Sequence, residues 1–177
     1  MGFLLLNSNV FKSIILFLTA VVVKGVYLAE TGIGGDECFS VFMAQFEIST
    51  IISHLGKGDN PPLWEIILHY WIKIFGIGET SIRIPSLFFN AATTIPIFFI
   101  GERFIGKNIG LTASILFIFS SFSLFISHEA RVYSLVGLLS STSIYFFLLF
   151  LKDPKKLSPL FLLTVNNALL LYCHYLT

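Results

Sequence analysis

Two carboxylates stand side by side at Asp36 and Glu37, directly after the flexible pair Gly34-Gly35. A carboxylate near an apolar surface loses hydration, holds its proton more tightly and becomes competent as a general base. The same position suits a helix N-cap, and the two roles are compatible. Asp59, in the run GDNPPLW (58–64), is either a turn residue ahead of two prolines or a second acidic, metal-binding group. In SHEARVYSL (127–135), His128, Glu129 and Arg131 cluster and Tyr133 follows. The forked donors of Arg131 suit a phosphate, with Glu129 orienting a partner; the bland alternative is an ion pair that only shapes a loop. His174 next to Tyr175 is either an interfacial side chain or a ligand for a divalent metal held with nearby carboxylates. Cys38 and Cys173 have neither metal-ligand spacing nor a disulfide framework, and read as small apolar residues.

The elements that must position these groups are membrane helices. Apolar residues make up 55% of the chain and charged residues 12%, against roughly 25% charged in a soluble domain. The mean hydropathy is +0.86, so lipid is the main solvent. A spanning helix needs about 20 mostly apolar residues, and five segments qualify: 11–30, 84–102, 109–127, 132–151 and 158–176. Lys24 interrupts the first, and no small-residue cleavage pattern follows it, so it reads as an uncleaved span rather than a signal peptide. Arg83, ahead of Pro85, is expected to snorkel at the start of the second.

The first loop, 31–83, is too patterned to be a plain connector. Its stretch 37–55 reads as one interfacial helix. In 62–76, Glu65, His69 and Lys73 recur every four residues and make a polar stripe opposite Leu63, Ile67, Trp71 and Ile74. That segment reads as an amphipathic helix lying on the membrane. Charge bias agrees: with 62–76 on the surface and the amino terminus inside, Lys12, Arg103, Lys107, Lys152, Lys155 and Lys156 all fall on the cytoplasmic side. Asp36, Glu37, Glu47, Asp59, Glu65, Glu79, Glu129 and all four histidines then share the outer face. The expected fold is all-α: about five spans, with two interfacial helices in the first outer loop.

Taken in order, GDE (35–37), GDNPPLW (58–64), FG-x-GE-x-SIRIPS (75–86), GERFIGKNIG (101–110), SHEARVY (127–133) and HY (174–175) resemble the GT-C class of membrane glycosyltransferases. The branch they resemble comprises the dolichyl-phosphate-mannose–protein mannosyltransferase and lipid A aminoarabinose transferase families, in their bacterial and archaeal relatives. The resemblance covers nearly the whole chain. It implies an enzyme that takes a sugar from a polyprenyl-phosphate donor and passes it, with inversion, to an acceptor protein, lipid or glycan on the outer face of a prokaryotic plasma membrane. It also implies that Asp36 is the general base, with Glu37 beside it. The lipid-phosphate leaving group needs cationic stabilisation rather than a proton, for which Arg131, Tyr133 and Lys57 are the candidates. The aminoarabinose branch has a lysine before its paired prolines where this chain has Asn60, so that acceptor is not implied.

Members of these families usually continue with further spans, and the chain ends on an apolar segment at Thr177. The reading is therefore the amino-terminal part of a GT-C catalytic module, residues 1–177, inactive alone. A net charge of +1 without a basic stripe argues against a nucleic-acid partner. A transporter or flippase is the competing class, but transporters place charges at the bilayer midplane and carry inverted repeats, and neither is visible here. A purely structural subunit would leave Asp36, Glu37, Glu129 and Arg131 without a task.

Overall fold

The computed structural model describes residues 2–26, 28, 30, 32–58 and 60–175, with side chains from residue 8 onward. Asp59 lies outside the described residues. Among them every regular element is helical. The order is α1 (Gly2–Gly25), α2 (Asp36–Met43), α3 (Ile48–Leu55), α4 (Leu63–Phe75), α5 (Glu79–Ala92), α6 (Thr94–Ile100), a π-helical turn (Gly101–Ile105), α7 (Ile109–Ile118), α8 (Ser121–Ser127), α9 (Tyr133–Lys152) and α10 (Leu157–Leu171). Among the described residues three stretches are long and apolar enough to cross a membrane: Ser8–Gly25, Glu79–Ile105 and Tyr133–Lys152.

The all-helical membrane fold is as expected, while the expected five or so spans come to three, or four with one bent pair, among the described residues. The segment 109–127 is a pair, α7 and α8, bent by 60°, because Ser120 turns extended and caps α8 by accepting from the Ser123 N–H at 3.4 Å. α10 has 15 residues and so rises only about 22 Å, short of the ~30 Å hydrocarbon core. The loop 31–83, expected on the outer face, holds three helices rather than two, since 37–55 breaks at Ala44–Glu47 into α2 and α3. The first span ends at Gly25 rather than 30, and the second helix starts at Glu79 rather than 84.

In α1, Ser13, Leu16, Ala20 and Lys24 are buried at spacings of three and four, while Phe11, Leu18 and Val22 remain exposed. That stripe packs with Ala91, Phe98 and Ile118. The fully buried Lys24 closes it: Nζ donates to Asn90 Oδ1 and Ser123 Oγ and lies 4.4 Å from the Phe117 ring centroid. α6 and α7 meet at glycine, where a Cβ on Gly101 would collide with the Gly110 backbone. Pro85 sits inside α5 and removes the N–H that would otherwise bond to the Ser81 carbonyl. The Trp71 indole N–H fills that role at 2.8 Å.

α4 reverses the expected polarity. Glu65 and His69 point into the protein, with Trp64 and Leu68, whereas Tyr70, Ile74 and Phe75 are exposed. The inward polar groups have partners on α2 and the residue after it: Glu65 Oε1 accepts from Ser40 Oγ at 3.1 Å, and His69 Nδ1 meets Ala44 O at 2.8 Å. Polar groups on a helix that faces lipid find partners only in protein, because lipid offers no hydrogen bonds; Lys73, the third member of the expected stripe, stays exposed.

Candidate active site

The loop, α5 and the α8–α9 junction converge on a cavity of about 520 Å³, whose lining includes Asp36, Glu37, Arg83, His128, Glu129, Arg131 and Tyr133. Six of the nine residues expected from sequence to form the site are therefore together. Lys57 and His174 do not line it, and Asp59 is not described. Among the described residues no three His, Cys, Asp or Glu side chains gather as a metal ion requires.

Asp36 is the first residue of α2. The cap position belongs to Gly35, whose φ of 56° lies in the left-handed region that glycine adopts freely. The Asp36 carboxylate makes no cap bond, and its side chain is 81% exposed, so neither the capping role nor the expected desolvation is observed. Its partner is Arg131, which donates from Nη1 to Asp36 O at 2.9 Å and from Nη2 to Asp36 Oδ2 at 3.3 Å. Tyr133 Oη takes a further contact from Nη2 at 3.4 Å. Arg131 Nε is buried without a partner, so the guanidinium retains unused donor capacity.

Glu37 faces the other way. Its carboxylate accepts from Arg83 Nε at 2.9 Å and Nη2 at 2.8 Å, and from the Ala130 N–H at 2.8 Å. Arg83 also donates to the Leu28 and Gly32 carbonyls. Arg83, expected at the lipid headgroups, is 2% exposed and clamps α2 to α5 and to the residue preceding Arg131. Glu37 is thus engaged in a bidentate charge-assisted pair. The Ala130 carbonyl is held too, accepting from Trp64 Nε1 at 3.1 Å. Both backbone polar groups of Ala130 are fixed, in the two successive peptide units that lead to Arg131, and this places Arg131 over Asp36.

This gives Trp64 of the GDNPPLW run a positioning role that its sequence context did not reveal. Trp64→Phe keeps the ring packing but orphans the Ala130 carbonyl, a loss of about 1–3 kcal/mol. A thermal-unfolding comparison in detergent should show a lowered midpoint; an unchanged midpoint would mean that the bond contributes nothing.

His128 Nε2 donates to the Lys24 carbonyl at 2.7 Å, because a carbonyl can only accept. Glu129 is half-buried on the cavity wall. Burial, reinforced by the negative charge of Glu37, raises its carboxyl above the ordinary carboxylate range, against the pull of Arg131. Burial likewise raises Glu65 behind the site, partly offset by its own backbone and by Ser40. The apolar Leu124 and Phe125 complete the wall on the α8 side, giving a site that is polar on one flank and lipid-compatible on the other.

Residues 59–177, more than half of the chain, match the family model described as dolichyl-phosphate-mannose-protein mannosyltransferase. Arg83, His128, Glu129, Arg131 and Tyr133 lie inside the matched range, and Asp36 and Glu37 precede it. No curated protein and no solved structure matches the chain. A helical bundle with membrane-length spans and a cavity combining carboxylates with an arginine accords with that match: the chain belongs to the dolichyl-phosphate-mannose-protein mannosyltransferase family.

Proposed function

We propose that this chain carries the donor side of a reaction moving a sugar from a polyprenyl-phosphate carrier to a hydroxyl group of a protein, lipid or glycan. The family is one of membrane glycosyltransferases of the GT-C type. The observation that supports the finer reading is the meeting of Asp36 and Arg131 at one cavity: a base and a phosphate-binding cation are adjacent, as a displacement at an anomeric carbon between them requires.

The acceptor oxygen forms its bond to the anomeric carbon as the bond from that carbon to the phosphate oxygen breaks. The acceptor proton passes to an Asp36 carboxylate oxygen, and the electron pair leaves with the lipid phosphate. One displacement from the opposite face inverts the configuration. Arg131 neutralises the charge growing on the phosphate, and interactions that strengthen in the transition state lower the barrier. Glu129 and His128 orient the acceptor and the loop, and the cavity opens on the outer face.

Arg131 now holds Asp36, so an arriving phosphate competes with that carboxylate for the same donors. Donor binding thereby frees the base, and the donor binds first. Arg131→Lys preserves charge but cannot make paired hydrogen bonds. It should raise the donor concentration needed for half-maximal rate by about tenfold or more, the loss of about 1.5–3 kcal/mol expected for a charged hydrogen bond. Acceptor titration should be unchanged. A variant with an unaltered donor response but less folded protein would assign Arg131 to the Asp36 pair alone.

A further inference from the structure

A second cavity, of about 430 Å³, opens at the other end of the bundle, where Arg103, Lys152, Asp153 and Lys156 surround Leu149 and Pro159. The 20 residues of α9, about 30 Å of rise, separate it from the Asp36 site. Its cations come from three places: the π-helical turn after α6, the last residue of α9, and the residue before α10. Arg103 Nη1 donates to Tyr145 Oη at 3.1 Å, which holds the guanidinium against α9 and leaves its other donors for a ligand. Lys152 Nζ lies 6.0 Å from the Phe104 ring centroid. Asp153, the one acid of this lining, is paired with Lys156 at 3.2 Å. Among the described residues no carboxylate pairs with Arg103 or Lys152.

Lys156 and Pro159, at the start of α10, line the cavity, so the positive end of that helix adjoins it. Exposed Leu151 and Leu157 adjoin Lys152 and Lys156 in sequence, placing apolar surface beside the charges. We propose that this cavity binds the phosphate headgroup of an anionic membrane lipid, whose acyl chains run along α9 and α10. Free phosphate shares the headgroup chemistry but would leave Leu149, Pro159 and the apolar rim unused, so the lipid is the better fit.

The test is native mass spectrometry of the protein released from nanodiscs containing equal parts phosphatidylglycerol and phosphatidylcholine. Phosphatidylglycerol should be retained preferentially. The Arg103→Gln/Lys152→Gln pair should reduce that retention about fivefold per charge removed, the effect of one basic residue near an anionic surface. Both side chains are exposed, and thermal unfolding checks that the pair still folds. Lys155→Gln, on the same face but outside the lining, should retain lipid as the wild type does. Equal retention of the two lipids, or an equal loss in Lys155→Gln, would overturn a specific site. Displacement of the bound phosphatidylglycerol by millimolar inorganic phosphate would overturn the lipid assignment in favour of a free-phosphate site.

Discussion

Arg83→Ala is expected to prevent the protein from accumulating in a folded form. The guanidinium is 2% exposed and Glu37 4%, and removing one member of a buried pair strands the other charge at a cost of about 3–5 kcal/mol. Against a total stability of about 5–15 kcal/mol in typical domains, that loss is decisive. It also releases the Leu28 and Gly32 carbonyls and, through Glu37, the Ala130 N–H. Glu37→Gln should be milder than Arg83→Ala, because the amide oxygen still accepts from one donor. A double variant, Glu37→Leu with Arg83→Met, should recover part of the lost stability by leaving no orphan charge. The readout is the yield of monodisperse protein in detergent together with its thermal midpoint. Wild-type yield and midpoint in Arg83→Ala would show that the clamp does not hold the loop to the bundle.

The second large effect belongs to Asp36→Asn, which preserves shape and an acceptor for Arg131 but removes the base. Sugar transfer should fall by about 10²–10⁴, the usual contribution of general-base catalysis, with the thermal midpoint unchanged and donor binding retained or tightened, since an amide competes with the phosphate for Arg131 less than a carboxylate does. The exposed position of the side chain makes a folding defect an implausible source of the loss. Glu129 offers the contrast: it lines the same cavity, with its carboxyl raised by burial. Glu129→Gln should cost far less than Asp36→Asn. The reverse order would transfer the base role from Asp36 to Glu129.

How much of this was legible in the sequence depends on range. Membrane class and helical content follow from composition, and Asp36 and Arg131 were recognisable singly as chemistry-bearing types. That they touch was not, because they are 95 residues apart and no local pattern encodes the contact. Arg83 misled for a related reason: an arginine at the start of an apolar run reads as snorkelling until a buried carboxylate 46 residues away supplies its partner. The cost of an ionisable group near a span was the available signal that Arg83 and Lys24 each required one. α4 shows the other limit. Its period was correct, but which face turns inward depends on the solvent outside, and beside lipid the polar stripe of Glu65 and His69 belongs inside. The break between α2 and α3 was masked by Phe39, Phe42, Met43 and Phe46, whose spacing carries one helical face across it.

In the proposed reaction a base and a phosphate-binding arginine act on one lipid-linked sugar. Its most direct measurement is single-turnover transfer by the full-length enzyme in nanodiscs, supplied with a polyprenyl-phosphate sugar of known anomeric configuration and a hydroxyl acceptor. Polyprenyl phosphate should be released in step with glycosylated product, the anomeric proton coupling should report inverted configuration, and both should be lost in Asp36→Asn. Product of retained configuration, or transfer that proceeds undiminished without Asp36, would contradict it.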